Sequence, residues 1–165
     1  MDKQKIKVFQ FQVLLQCQFI VQAAKLSENN EYLWFSLQMI LVSAGNISKA
    51  LWGQSGRYER ERQPLRDTIK VNDSSPLKIL NMRNDWEHFD ERIDEWWLKS
   101  ESRMFYDRNV GFNFSDRSPI DIFRNWDPEK QELVFWGKKL NIKEIVCEIE
   151  RIMPLLENEC FGDSM

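Results

Sequence analysis

The chain has 165 residues, of which 42% are hydrophobic and 13% aromatic, enough for one domain with a sizeable core. Its formal net charge of -3 argues against a general nucleic-acid coat protein, because sequence-independent binding to phosphate normally depends on a basic face. Any activity on RNA therefore requires a local site, and the many aromatic residues make a homodimer plausible.

The cysteines and the N-terminal apolar stretch indicate a cytoplasmic protein. Cys17, Cys147 and Cys160 are odd in number and widely spaced, unlike a disulfide framework or a CxxC metal site. Five glutamines interrupt the apolar stretch from Val8 to Ala24, and no small-residue cleavage site follows. We interpret this stretch as a packed helix and expect no membrane association.

Apolar residues recur at helical spacing in the first third of the chain. They predict one helix from Ile6 to Leu26 and a second from about Glu31 to Trp52, joined by a polar turn at 27–30. Gly53 and Gly56 are expected to end the second helix. The two helices should form an antiparallel hairpin.

The segment from Arg57 to Lys70 holds five basic and three acidic residues, with Pro64 in its middle. It is predicted to be either a broken helix or a mobile loop. Its charge, 5 minus 3 or +2, fits either a solvated surface or a basic strip that faces RNA. In the second case, Arg60, Arg62 and Arg66 are the candidates for RNA contact.

A long amphipathic helix is predicted next. Ser75 can cap its first turn and Pro76 suits its first position, and the pattern continues to about Lys99. Apolar residues spaced alternately three and four apart predict one continuous seam along this helix. They are Ile79, Met82, Trp86, Phe89, Ile93 and Trp96.

Beyond Ser102 the periodicity is no longer helical. A short strand is expected at 104–106, and a β-hairpin with strands at 120–126 and 131–136 around the turn residues 127–130.

A last helix should run from Ile142 to about Glu157 and be bent or ended at Pro154. The predicted fold is therefore mainly α, with a helical core at about 5–100 and the hairpin and last helix at about 102–160.

Several kinds of active site are disfavoured by what the sequence lacks. One histidine and three scattered cysteines cannot supply a zinc site, although carboxylates could hold a hard cation. A Ser or Cys triad remains formally possible without a GxSxG elbow. The six glycines form no phosphate-binding loop, so we expect no nucleotide-driven chemistry and no cofactor.

The only histidine lies in the pattern Arg83-Asn84-x-x-x-His88. This pattern resembles the motif of the HEPN family, helical domains with Arg, a polar residue that is often Asn, three variable residues and His. The resemblance covers roughly Ile6 to Lys99. It implies a single HEPN-like domain over 1–165, with an up-and-down helical bundle and a small β-hairpin before the last helix.

The resemblance also implies metal-independent RNA cleavage, in which the ribose 2'-OH attacks the adjacent phosphate and leaves a cyclic phosphate and a free 5'-OH. His88 would act as general acid-base, because imidazole exchanges protons near neutral pH. Arg83 would stabilise the extra negative charge on the phosphate. Asn84 would orient either His88 or the phosphate.

On one helix these residues diverge. At about 100° per residue, His88 lies about 140° from Arg83, whereas Asn84 shares the face of His88. Two such helices meeting across a two-fold axis would bring Arg83 of one chain near His88 of the other, as HEPN dimers are thought to do. Six carboxylates and two arginines between Arg83 and Glu95 give a local balance of -4, which opposes phosphate binding.

The leading hypothesis is an endoribonuclease effector of the toxin-antitoxin or phage-defence type, restrained by an antitoxin or regulatory protein. The alternative is a non-catalytic HEPN-like protein-interaction module, which the aromatic excess and the acidic helix would suit. A third hypothesis is a helical domain that binds a nucleotide or another small molecule.

Overall fold

The first helix, α1 (Lys3–Leu26), begins at a side-chain cap. The Asp2 carboxylate accepts hydrogen bonds from two backbone N–H groups of the first turn, which satisfies donors that have no partner within the helix. A short turn leads to α2 (Leu33–Trp52). The side chain of Asn46 donates to Gln16 at 3.2 Å, so the two helices pack side by side. Because only residues 27–32 join them, they run antiparallel, as predicted.

The computed structural model describes residues 1–78 and 81–162, apart from the side chains of Asn81 and Arg83. Within these ranges the fold is mainly helical and has a small sheet before the last helix, as predicted. The backbone forms two compact units. The first contains the residues before Asn81 and those from Glu144 onward, and the second spans Asn81–Lys143.

The core of the first unit comes from apolar faces with helical spacing. In α1 and α2 the buried apolar residues are Val13, Leu14, Cys17, Ile20, Ala23, Leu33, Leu37, Ile40, Leu41, Ala44, Ile47, Leu51 and Trp52. The last helix, α6 (Ile142–Phe161), adds Ile145, Ile149, Ile152 and Leu156. The prediction that Pro154 ends this helix is wrong, because buried residues on both sides of the proline hold one continuous helical face.

Pro64 begins a helix rather than breaking one. The short helix α3 (Gln63–Thr68) has this proline in its first turn, where the missing N–H costs no helical hydrogen bond. Before it, α2 ends at Gly53 with φ 82°. A Cβ at this position would lie 2.8 Å from the Tyr58 ring, so the tight turn requires glycine.

The helix predicted to start at Pro76 does not start there. Residues 73–78 form turns and bends, and the Ser75 hydroxyl donates to Glu148 of α6 at 2.7 Å instead of serving only as a cap. Asn72 also accepts from the backbone N–H of Ser74 at 2.9 Å, which favours a turn.

The remainder of the predicted helix is two helices, α4 (Asn81–Glu87) and α5 (Phe89–Lys99). The backbone leaves helical geometry at His88, with φ -103° and ψ 43°. The prediction of one uninterrupted helix is therefore wrong. The sequence around His88 contains neither Pro nor Gly, so it carries no local signal for this interruption.

The interruption also splits the predicted apolar seam. Met82, Trp86 and Trp96 are buried, whereas Phe89 and Ile93 are 60% and 41% exposed. Ile79, the first member of the seam, lies outside the described residues. Because the backbone changes direction at His88, α5 turns a different face inward from the one that a continuous helix would present.

The sheet consists of β1 (Asn109–Val110), β2 (Arg124–Asp127), β3 (Glu132–Phe135) and β4 (Lys138–Asn141), in that order. The pair β2–β3 is antiparallel and confirms the predicted hairpin.

Strand β4, which the sequence analysis missed, is antiparallel to β3. Trp136 and Gly137, both with positive φ, form the two-residue turn between them. The strand expected at 104–106 is limited to a single bridge between Tyr106 and Ile122, and β1 pairs parallel with β2.

A buried carboxylate connects the end of α5 to the approach to β2. Asp121 is 5% exposed and accepts hydrogen bonds from Trp96 Nε1 at 3.0 Å, Ser100 Oγ at 2.6 Å and Ser102 Oγ at 2.8 Å. Burial acts to raise the pKa of Asp121, but these hydrogen bonds together hold it below its ordinary value. The ionised carboxylate therefore stabilises the second unit.

We expect Asp121→Asn to lower the free energy of unfolding by about 1–3 kcal/mol at neutral pH, because an amide cannot accept all three hydrogen bonds. The lowered pKa means that this stabilisation is present above the ordinary value of 3.8 and is lost as the pH falls through the folded value. The difference between wild type and variant should therefore shrink at low pH. Urea unfolding followed by tryptophan fluorescence measures it.

The control is Asp116→Asn, which changes an exposed carboxylate and should alter stability by less than about 0.5 kcal/mol. Equal stability of Asp121→Asn and wild type at neutral pH would contradict the stabilising role of Asp121.

Candidate functional site

His88 occupies the interruption between α4 and α5. Its side chain is 59% exposed, and its Nδ1 lies 3.6 Å from Glu91 Oε1. Its backbone N–H donates to the Asn84 carbonyl at 3.0 Å, and Asn84 is also exposed. The structure thus keeps these two predicted site residues one turn apart and open to solvent.

Arg83, the third member of the motif, lies in α4, and its side chain is outside the described part of the structure. The nearby Asp85 is buried. Lys138 of β4 donates to this carboxylate at 2.5 Å, and Arg92 Nε lies 3.5 Å away on the other oxygen. These contacts attach α4 to the sheet and to α5.

The next residue, Trp86, strengthens the same attachment. Its ring lies 5.1 Å from that of Phe135 in β3 and 5.3 Å from the Arg124 guanidinium. Arg124 is in turn held by Asp107 through two hydrogen bonds. The helix that carries the motif is therefore anchored by aromatic, cation–π and ionic contacts.

The negative charge around the motif is partly neutralised. Lys138 pairs with Asp85 and Lys99 with Glu95, and both lysines lie outside the segment 83–95. Adding their two positive charges to the sequence balance of -4 leaves -2. The role of Lys138 has no signal in the sequence, because it depends on β4 being paired with β3.

The three arginines proposed to contact RNA have different environments. Arg60 is exposed. Arg62 is half-buried, donates to the backbone carbonyls of Lys49 and Ala50 at the end of α2, and stacks 4.6 Å from the Phe9 ring. Arg66 is 1% exposed. A solvated basic strip would therefore consist of Arg60 alone among these three.

The described ranges give little support to a metal site or to Cys17 as a nucleophile. They contain no group of three His, Cys, Asp or Glu residues placed to hold a metal ion. Burial raises the pKa of Cys17 to about 12, which makes this thiol a poor nucleophile. None of the helices in these ranges combines the length and apolar character needed to cross a bilayer.

Comparisons with family models, curated proteins and solved structures gave no match to this chain. The assignment of function therefore depends on the residues and geometry described above.

Proposed function

We propose that this protein is a metal-independent endoribonuclease of the HEPN type, acting as a toxin or defence effector. His88 serves as general acid-base, Arg83 stabilises the phosphate, and Asn84 orients either His88 or the phosphate. The site is completed in a homodimer, where Arg83 of one chain meets His88 of the other. An antitoxin or regulatory protein restrains the activity in the cytoplasm.

The exposure of His88 is the observation that carries this proposal. A general acid-base must reach the substrate, and 59% of this side chain is open to solvent. Glu91 lies beside Nδ1, so the Nε2 edge of the imidazole points away from that carboxylate and is available to a ribose hydroxyl or a leaving oxygen. A carboxylate next to one ring nitrogen also helps to orient the ring for proton transfer.

Partial neutralisation of the acidic segment removes one objection to RNA binding. Lys138 and Lys99 are held at Asp85 and Glu95, so the repulsion that a phosphate would meet is smaller than the sequence alone suggests. The remaining charge is still negative, and salt screens its repulsion of RNA, so we expect cleavage to rise with ionic strength.

We predict that His88→Ala and Arg83→Ala each lower RNA cleavage by about 100-fold or more, since each removes a group that acts in the transition state. Single-stranded RNA is incubated with purified protein in EDTA, and fragments are separated on a denaturing gel. Products should end in a 2',3'-cyclic phosphate.

Arg117→Ala is the matched control, because it removes another exposed arginine of the same unit, and it should cleave like wild type. Equal cleavage by wild type, His88→Ala and Arg83→Ala would refute the assignment.

The alternative, a non-catalytic HEPN-like interaction module, is favoured by a separate observation on α5. Phe89, Ile93, Trp97 and Leu98 are 41–85% exposed, which is a large apolar area for the surface of an 11-residue helix.

Under this alternative, Phe89→Ser or Trp97→Ser should abolish assembly of the chain while His88→Ala has no effect. Light scattering after size-exclusion chromatography measures the assembly. Lys143→Ser, which changes an exposed lysine of the same unit, is the control. Assembly that survives both apolar substitutions would exclude this surface as the interface.

A further inference from the structure

A cleft in the first unit surrounds the turn between α2 and α3. Its volume is about 760 Å³, and its lining includes Arg57, Tyr58, Arg60, Gln63 and Arg66. Three arginines in one cleft are a local excess of positive side chains in a protein whose formal net charge is -3.

The Arg66 guanidinium at this cleft is buried without an anionic partner. Nη1 donates to the Leu51 carbonyl at 2.7 Å and Nη2 to Gln63 Oε1 at 2.5 Å, whereas Nε has no partner in the described ranges. No carboxylate of these ranges forms an ion pair with the group. The Trp52 ring, 5.4 Å from the guanidinium, offsets part of the cost of burial. A buried charge without an anionic partner is still costly, which favours an anion that binds from outside the chain.

Two other arginines of the chain each form a two-bond contact with a carboxylate, and Arg66 lacks such a contact in the described ranges. In Arg124 the Nε and Nη2 edge donates to both oxygens of Asp107 at 2.6 and 2.5 Å. In Arg151 the same edge donates to both oxygens of Glu148 at 2.7 and 2.9 Å. At Arg66 a neutral amide occupies half of this edge, although the fork geometry fits a carboxylate or a phosphate.

The charges around the cleft favour an anion. Its three lining carboxylates, Glu59, Glu61 and Asp73, are each paired with a lysine, either Lys5 or Lys78. The three arginines of the lining form no ion pair with a described residue. With Asp67, which accepts from Gln63 of the lining, four carboxylates against three arginines and two lysines leave a balance of +1.

Gln63 is placed to act as a replaceable partner. It is exposed, and its amide nitrogen donates to Asp67 at 2.6 Å while its oxygen accepts from Arg66. Rotation of this side chain would free Nη2, next to which Nε already lacks a partner among the described residues. A ligand that replaces a neutral acceptor with a charged one gains the stronger, charge-assisted hydrogen bonds.

We propose that this cleft binds a terminal or free phosphate group, with two phosphate oxygens on the Nε and Nη2 edge of Arg66 and with Arg57 and Arg60 at the rim. The group would belong either to a free phosphate or nucleotide or to the 5' end of an RNA. This site uses only residues of the first unit, so it does not rest on the role proposed for His88 and Arg83.

The test variant is Gln63→Glu, because it places a carboxylate of the chain's own on the open edge of Arg66. We expect it to weaken phosphate binding by at least about tenfold, since the guanidinium gains a carboxylate partner from within the chain. The substitution also removes the donation from Gln63 to Asp67, so circular dichroism is recorded on each protein, and a native spectrum shows that weaker binding does not come from a damaged fold. Gln18→Glu makes the same charge change at an exposed position of α1 and should bind like wild type.

Binding is measured by isothermal titration calorimetry on the full chain with His88→Ala in the background, so that RNA stays intact. The titrants are inorganic phosphate, AMP and one oligoribonucleotide with either a 5'-phosphate or a 5'-OH. Binding of phosphate or AMP that Gln63→Glu weakens supports a free ligand. Binding of the 5'-phosphorylated oligonucleotide alone, weakened in the same way, supports an RNA end.

Three results would overturn the proposal. The first is that the chain with Gln63 intact binds no phosphorylated titrant, and the second is that Gln63→Glu binds each titrant as tightly as that chain does. The third is equal binding of the 5'-phosphate and 5'-OH oligonucleotides without binding of phosphate or AMP. Phosphate binding by a chain that retains His88 and Arg83 but cleaves no RNA would instead refute only the role proposed for those two residues.

Discussion

At His88 the backbone leaves helical geometry for a single residue. This interruption determines which apolar residues of α4 and α5 are buried and which reach solvent. Trp86 before it and Trp96 after it are buried, while Phe89 and Ile93 reach solvent. One uninterrupted helix would have placed all four on one face. The same departure puts the only imidazole of the chain at a helix junction, where its side chain is open to solvent.

Polar contacts hold the two helices on either side of this junction. Lys138 and Arg92 neutralise the buried Asp85 of α4, and Asp121 accepts three hydrogen bonds around the end of α5. Removing one partner from such a group leaves a buried charge or donor unsatisfied, which costs more than an exposed ion pair contributes. The junction is thus supported from both sides while His88 itself stays exposed.

The elements predictable from sequence were those with a local signal. Helical periodicity gave α1, α2 and α6, and the turn residues 127–130 gave the hairpin of β2 and β3. The break at His88 and the burial of Arg66 had no such signal, since each depends on residues distant in the sequence. In the sequence Arg66 cannot be distinguished from a surface arginine, but in the structure it donates to the Leu51 carbonyl of α2 and is buried. The predicted basic strip and the observed cleft therefore share residues, but the strip would be solvated, whereas Arg66 in the cleft is buried.

We propose that Arg83 and His88 act from two different chains, and mixing inactive chains tests this arrangement most directly. His88→Ala and Arg83→Ala proteins are unfolded together, refolded at equal amounts and assayed for RNA cleavage. A composite site predicts about one quarter of wild-type activity, since half of the dimers are mixed and each has one intact site of two. Activity no higher than that of either variant alone would contradict the account.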